Sequence, residues 1–280
     1  MRKAATKCWI LCLIFILMAV WVVFSAQAQT GHTDSRLQLI QSRHELQVCV
    51  WPEYYSISYR DPRTQKLGGL DIELARILAA ELGVKLRFVD SSFSRLIPDL
   101  LKERCDVAMF AVGITPERAE QIDFTEPHLV SDMVAITTKN NRRIQQWDDL
   151  DQPGNVLAVA KGTWHEPVMR ERLQYASLVA PDTPETRETE VLSGRADAFI
   201  SDYPYSLRML ETTDWAQRIE PDTTFHLTYY AWAVKPGDAV WLERLNDFMR
   251  RIKKDGRLLQ EASKFRLEPV IVLDTGPYEH

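Results

Sequence analysis

Arg118 closes the stretch of this chain best suited to holding an anion, Val107-Ala-Met-Phe-Ala-Val-Gly-Ile-Thr-Pro-Glu-Arg118. Val107 to Val112 is a continuous apolar run with the length and composition of a buried parallel strand. Gly113 then lets the backbone turn and leaves room for a close approach. Thr115 followed by Pro116 reads as an N-cap with proline at the first helical position, which puts Arg118 in the first helical turn. A strand end, a helix N-terminus and a guanidinium thus reach one place, and an arginine fork binds carboxylate in bidentate fashion. Pairing with Glu117 or Glu120 on the helix surface is the competing use of that side chain. Asp202 ends a second apolar run, Ala198 to Ser201, where it also suits the N-cap of a helix containing Pro204. The six histidines are scattered and show no metal-ligand spacing.

Alternating strands and helices must position these residues. Leu46 to Val50 reads as a strand, followed by the aromatic loop Trp51-Pro-Glu-Tyr-Tyr55. Pro62 and Gly68-Gly69 mark a turn. Leu70 to Leu82 carries apolar residues at helical spacing and is stopped by Gly83. Lys85 to Val89 alternates as a strand, and Ser94 to Lys102 is a short helix leading to the Val107 strand. This order predicts a parallel sheet with right-handed crossovers. A second set follows: strands at 133–138, 156–160 and 198–201, with helices at 165–173, from Thr183-Pro184 to Ser193, and at 204–210. Tyr230 to Val234 is the last clear strand, and a long helix runs from Asp238 through Ile252. Two α/β units predict two lobes with a cleft between them. Ligands of open α/β sheets sit at the carboxyl ends of strands, which gathers Trp51 to Tyr55, Gly113 to Arg118, Gly162 to His165, and Asp202.

The amino terminus speaks to compartment. Arg2, Lys3 and Lys7 precede 17 uninterrupted apolar residues, Cys8 to Phe24, and Ser25-Ala26-Gln27-Ala28 supplies a small-x-small site. Residues 1–28 therefore read as a secretory signal peptide cleaved after Ala28, with a retained membrane anchor as the alternative. Cleavage leaves Cys49 and Cys105, either as a disulfide or as two buried thiols. A net charge of −5 with no basic stripe argues against nucleic acid as a partner.

Five segments, in this order, carry a resemblance: Gly68-Gly-Leu-Asp-Ile-Glu-Leu-Ala75; Gly113-Ile-Thr-Pro-Glu-Arg118 with Asp123-Phe-Thr-Glu-Pro127; Gly162-Thr163; Gly194-Arg-Ala-Asp-Ala-Phe-Ile-Ser-Asp202; and Ala233-Val-Lys-Pro-Gly-Asp238. Over residues 44–268 the chain resembles the periplasmic solute-binding proteins of the polar amino acid type, family 3. The resemblance implies a two-lobed α/β fold of the type II periplasmic binding proteins, each lobe a mostly parallel sheet flanked by helices. Lobe 1 would span 44–132 and 232–272, and lobe 2 would span 133–231. A linker (29–43) would precede them and a tail (273–280) would follow. It further implies a monomer without cofactor, hinge closure on an amino-acid-like solute, and delivery to an inner-membrane ABC transporter permease. Arg118 sits where the family grips the ligand α-carboxylate, Thr163 and the backbone at Trp164 where the second lobe donates to it. Asp202 matches the acceptor for the α-ammonium, and Tyr54 the aromatic that stacks on the ligand.

Departures from the pattern matter. Gly113 stands where the family often has a hydroxyl for the ammonium, and His128 replaces the usual Tyr after Pro127. Trp51, Tyr54, Tyr55, Trp164 and Tyr203 form a set at the expected rim that hints at a bulky, aromatic or cationic ligand. Cyclohexadienyl dehydratases share the family, and Asp149 to Gly154 looks like a segment of that branch. Residues 203–206 are Tyr-Pro-Tyr-Ser where that branch would place its catalytic acid, with Glu53 and Glu166 as conceivable substitutes. Accessory proteins of periplasmic quinoprotein dehydrogenases also carry cysteines in contexts like Val48-Cys49 and Cys105-Asp-Val107.

Overall fold

Apolar strands from both ends of the chain build the first sheet of the computed structural model, which describes residues 35–181 and 184–274. The expected signal peptide, the start of the linker, Thr183 and the end of the tail lie outside the described residues. In chain order the strands are β1 (Glu45–Val50), β2 (Glu53–Tyr54), β3 (Ser58–Arg60), β4 (Leu67–Gly68), β5 (Lys85–Asp90), β6 (Val107–Gly113), β7 (Asp123–Phe124) and β8 (Leu129–Ser131). They continue with β9 (Met133–Thr138), β10 (Val156–Ala158), β11 (Ser177–Val179), β12 (Ala198–Asp202), β13 (Ala216–Ile219) and β14 (Thr228–Val234).

One sheet has the order β5-β1-β6-β14-β7, with β8 also paired to β14. The other has the order β11-β10-β12-β9-β13. Both belong to one compact unit that begins at Arg36. The sheets are mixed rather than mostly parallel. β5, β1 and β6 run parallel, but β14 returns from the far sheet in the opposite sense and pairs antiparallel with β6. In the second sheet β9 likewise lies antiparallel to β12 and β13. Every residue of β6 is buried, as its unbroken apolar sequence requires. The helix Ala239–Lys254 covers this sheet with Trp241, Leu245, Phe248, Met249 and Ile252.

Residues 36–43, read as linker, are instead a helix. Its ends are tied down by charge: Arg36 reaches Glu103 at 2.9 Å, and Arg43 pairs with Asp106, which is 3% exposed. Ile40 is fully buried beneath it. Cys49 on β1 and Cys105 before β6 are joined by a disulfide between neighbouring strands.

The helix Leu70–Leu82 matches its apolar spacing and ends on left-handed Gly83. Its entry explains the Gly68-Gly69 pair. Gly69 has φ +124°, and a Cβ there would lie 2.4 Å from the backbone of Ile57, so only glycine fits. Asp71, in the first turn, is completely buried. It accepts from the Ala111 backbone N–H at 2.7 Å and from the Trp232 indole at 2.8 Å. His128 Nε2 lies 3.0 Å from the same carboxylate. Ala111 has φ +48°, so Asp71 holds a bend in β6 two residues before Gly113.

Candidate functional site

The carboxyl ends of β1, β6 and β12, and the loop after β10, bring the sequence-predicted residues together. Arg118 comes first because its surroundings are least usual. Thr115 caps a single helical turn, Pro116–Ala119, and accepts from the Arg118 N–H at 3.4 Å. The helix is too short to add much dipole, so the anion-attracting character rests on the guanidinium. Arg118 is 7% exposed. Its Nη1 donates to the Gly113 carbonyl at 2.7 Å and its Nη2 to the Gly162 carbonyl at 2.9 Å. These two bonds link the ends of β6 and β10. Among the described residues no carboxylate pairs with Arg118, and neither Glu117 nor Glu120 folds back onto it. Burial pulls its pKa down to about 10, against the opposing influence of Tyr230 and Glu117. A buried cation bonded only to carbonyls is a good receptor for a desolvated anion.

Asp202 is the last residue of β12 and is 2% exposed. Its Oδ1 accepts from the Tyr205 N–H at 3.1 Å, so it caps the helix Tyr203–Thr212. Its Oδ2 accepts from the Tyr230 hydroxyl at 2.8 Å and from the Tyr54 hydroxyl. Burial raises the Asp202 pKa, while the bonds from Tyr54 and Tyr230 pull it back. Tyr54 therefore has a polar role here as well as an aromatic one. Its ring packs 5.3 Å from Trp51 and 6.1 Å from Phe93.

Thr163 and Trp164 stand opposite. The Thr163 hydroxyl donates to the Ala160 carbonyl at 2.7 Å, closing the turn after β10. Trp164 is 3% exposed, with its ring stacked on His165 at 4.2 Å and on His226 at 5.4 Å. It also explains Gly113: a Cβ there would lie 2.7 Å from Trp164 Cδ1. The indole takes the space a serine or threonine at 113 would occupy. Gly113→Ala is expected to lose about 1–3 kcal/mol of stability by overpacking. Adding Trp164→Leu is expected to recover about 1 kcal/mol or more of that loss in a double-mutant cycle read by urea denaturation.

Between these groups lies a cavity of about 10 Å³ bordered by Trp51, Tyr54, Phe93, Trp164 and Asp202, among others. That is room for one water at most, so an amino acid enters only if the surrounding rings move apart. A larger hollow of about 360 Å³, lined by Tyr59, Lys66, Glu211 and Arg266, contains none of the predicted site residues. The aromatic set is also redistributed. Trp51, Tyr54 and Trp164 fill the interior rather than its rim. Tyr203 lies under the Arg218 guanidinium at 5.3 Å and does not border the cavity. Tyr55 packs 5.1 Å from the ring of Tyr205.

Sequence reasoning gathered His165 at a strand end without giving it a role, and passed over Phe93, Arg187, Tyr205 and Tyr230. Arg187 left a signal. Thr183-Pro184-Glu185 repeats the Thr-Pro-Glu start that precedes Arg118, and Arg187 follows it one turn on. His165 is 4% exposed, and both its ring nitrogens lack a hydrogen-bond partner among the described residues. Burial, then Arg187 and Arg118, hold its pKa well below the ordinary histidine value. The unfolded chain takes up a proton near pH 6.5 while the folded one refuses it. His165 thus contributes stability that is complete above that pH and is lost as the pH falls, at up to about 1.4 kcal/mol per unit. The raised Asp202 acts in the opposite sense at lower pH. Melting temperature between pH 7 and pH 5.5 is expected to fall more steeply in the wild type than in His165→Gln.

The sequence pattern of the bacterial extracellular solute-binding proteins, family 3, matches residues 46–267. The chain belongs to that family. It is 26% identical over 249 residues to the L-cystine-binding protein TcyJ of Escherichia coli strain K12, covering 89% of this chain and 92% of that one. It is 32% identical over 188 residues to the cyclohexadienyl dehydratase of Pseudomonas aeruginosa, covering 66% and 68%. Among solved structures it resembles the ancestral amino acid-binding protein AncCDT-1, a precursor of cyclohexadienyl dehydratase. That match has a TM-score of 0.76 and 31% identity, covering 82% of this chain and 99% of that one. The type II periplasmic binding fold is thereby assigned, and the family's members are mainly binders of solutes such as amino acids.

Proposed function

We propose that this protein captures a free amino acid between two lobes and delivers it to the permease of an ABC transporter. One observation carries the reading: Arg118 is a buried guanidinium with no carboxylate partner among the described residues. Asp202, at the end of β12, supplies the anion, with the Tyr54 and Tyr230 hydroxyls on its carboxylate. A zwitterion needs a fixed cation and a fixed anion in one site. Its carboxylate would replace the Gly113 and Gly162 carbonyls on Arg118, and its ammonium would share Asp202 with the tyrosines. Lobe 1 would comprise 44–132 and 232–272, lobe 2 would comprise 133–231, and closure would exclude water and strengthen each pairing. Residues 1–28 would direct export to the periplasm, where the Cys49–Cys105 disulfide is stable.

The dehydratase relative favours a second reading, an enzyme acting on prephenate or arogenate. Against it, Ser206 donates to the Tyr203 carbonyl and Glu166 is engaged by Arg170 and the Gly162 N–H. Asp202 is the one carboxyl bordering the cavity among the described residues, and three donors hold it. A thermal-shift screen with amino acids, organic acids and prephenate separates the readings. Ligand at 100 times its dissociation constant adds about 2.7 kcal/mol. An amino-acid hit without turnover supports capture, and prephenate turnover supports the enzyme. Binding of neither, together with recovery of a quinoprotein dehydrogenase, would support an accessory role and contradict capture.

A further inference from the structure

A second buried guanidinium borders the cavity that Asp202 lines. Arg187, on the helix Pro184–Leu192, is 1% exposed. Its Nη1 makes a long hydrogen bond to the Ile200 carbonyl at 3.3 Å, it also interacts with the Tyr205 side chain, and its Nε has no partner among the described residues. Its plane is held by rings: the guanidinium carbon lies 4.1 Å from the Tyr205 centroid and 4.9 Å from that of Phe199. Aromatic faces above a guanidinium fix its orientation and leave its edge for a planar anion. Among the described residues no carboxylate forms an ion pair with it.

The charge count of the site is unbalanced. Arg187 borders the cavity with Asp202, Arg118 is a second buried cation close enough to act on His165, and His165 is held neutral by burial and by both arginines. A neutral zwitterion uses Arg118 and Asp202 and leaves Arg187 with no ion-pair partner of its own among the described residues. A solute with a cationic side chain brings a like charge against Arg187 in a low-dielectric space. A solute with a second carboxylate closes the balance, and the partnerless His165 ring supplies a neutral N–H donor next to it.

We propose that the solute is an acidic amino acid, L-aspartate or L-glutamate, whose side-chain carboxylate is held by Arg187 with His165 donating alongside. This rests on the reading that Arg118 takes the α-carboxylate. It gives Arg187 the role of selecting among amino acids.

Calorimetric titration of the protein from residue 29 onward tests it with L-aspartate and L-glutamate, their amides L-asparagine and L-glutamine, and L-arginine and L-lysine. The acidic amino acids are expected to bind about 10- to 100-fold tighter than their amides, the discrimination of one charge-assisted contact. The basic ones are expected to bind more weakly than the amides. Arg187→Met is expected to remove the preference for the acidic amino acids over their amides, and Arg187→Lys to retain part of it. Wild-type protein that binds amides or basic amino acids as tightly as acidic ones overturns the assignment of Arg187 and leaves amino-acid capture standing. That comparison does not depend on whether either variant folds. Binding of no amino acid at all overturns both.

Discussion

Replacing Arg118 with methionine is expected to abolish amino-acid binding while the protein still folds. Arg118 sits among Gly113, Gly162 and Phe93, its charge is carried into the interior, and its donors meet only carbonyls. A ligand carboxylate would offer it two parallel charge-assisted bonds in place of two neutral ones. Removing one partner of a buried ion pair costs about 3–5 kcal/mol, or two to four decades in dissociation constant. The apo protein should lose little, because the two stranded carbonyls are offset by relief from burying an uncompensated cation. Titration calorimetry reads the first effect and a urea melt the second. Methionine tolerated with affinity within tenfold would move the carboxylate site elsewhere.

The largest loss of stability is expected from Asp71→Ala. Two buried donors depend on this carboxylate, the Ala111 N–H that holds the bend in β6 and the Trp232 indole in β14. Stranding each costs about 1–3 kcal/mol, so about 2–6 kcal/mol in all. That is a large fraction of the 5–15 kcal/mol typical of a domain. Asp71→Asn keeps one acceptor and should fall between wild type and alanine in urea denaturation. The damage should reach the site as well, since the bend at Ala111 aims Gly113 and its carbonyl at Arg118. An alanine variant as stable as wild type would show that the motif Gly68-Gly-Leu-Asp71 matters only for its glycines.

How much of this was legible depended on whether the cause was local. The helix Leu70–Leu82 was legible to the residue because apolar spacing and a left-handed glycine stop are both written in the chain. β6 was legible because burial on both faces demands an unbroken apolar run. The turn at Thr115-Pro116 was legible from capping chemistry, but its length of four residues was not. The helix Arg36–Arg43 was missed because what holds it is distant: Arg43 needs Asp106, sixty-three positions away. β11, β13 and the small β2-β3-β4 sheet are short and partly polar, and only their pairing makes them strands.

The site divided the same way. Arg118 and Asp202 could be placed at strand ends from sequence. The hydroxyls that engage Asp202 come from Tyr54 and Tyr230, separated from it by 148 and 28 positions, and no pattern announces them. Trp164, expected at a rim, lies inside because it fills the space that Gly113 leaves open. Arg187 was written in the chain as a second Thr-Pro-Glu start followed by arginine, but only the fold brings it to the cavity beside His165 and Asp202.

Calorimetric titration with each L-amino acid and with its decarboxylated amine tests the central claim most directly. The pair differs only in the group that Arg118 is held to grip. Capture of an amino acid through Arg118 predicts saturable binding of at least one L-amino acid and a loss of about two decades or more for its amine. An amine that binds as tightly as the parent amino acid, or a protein that binds neither, would contradict it.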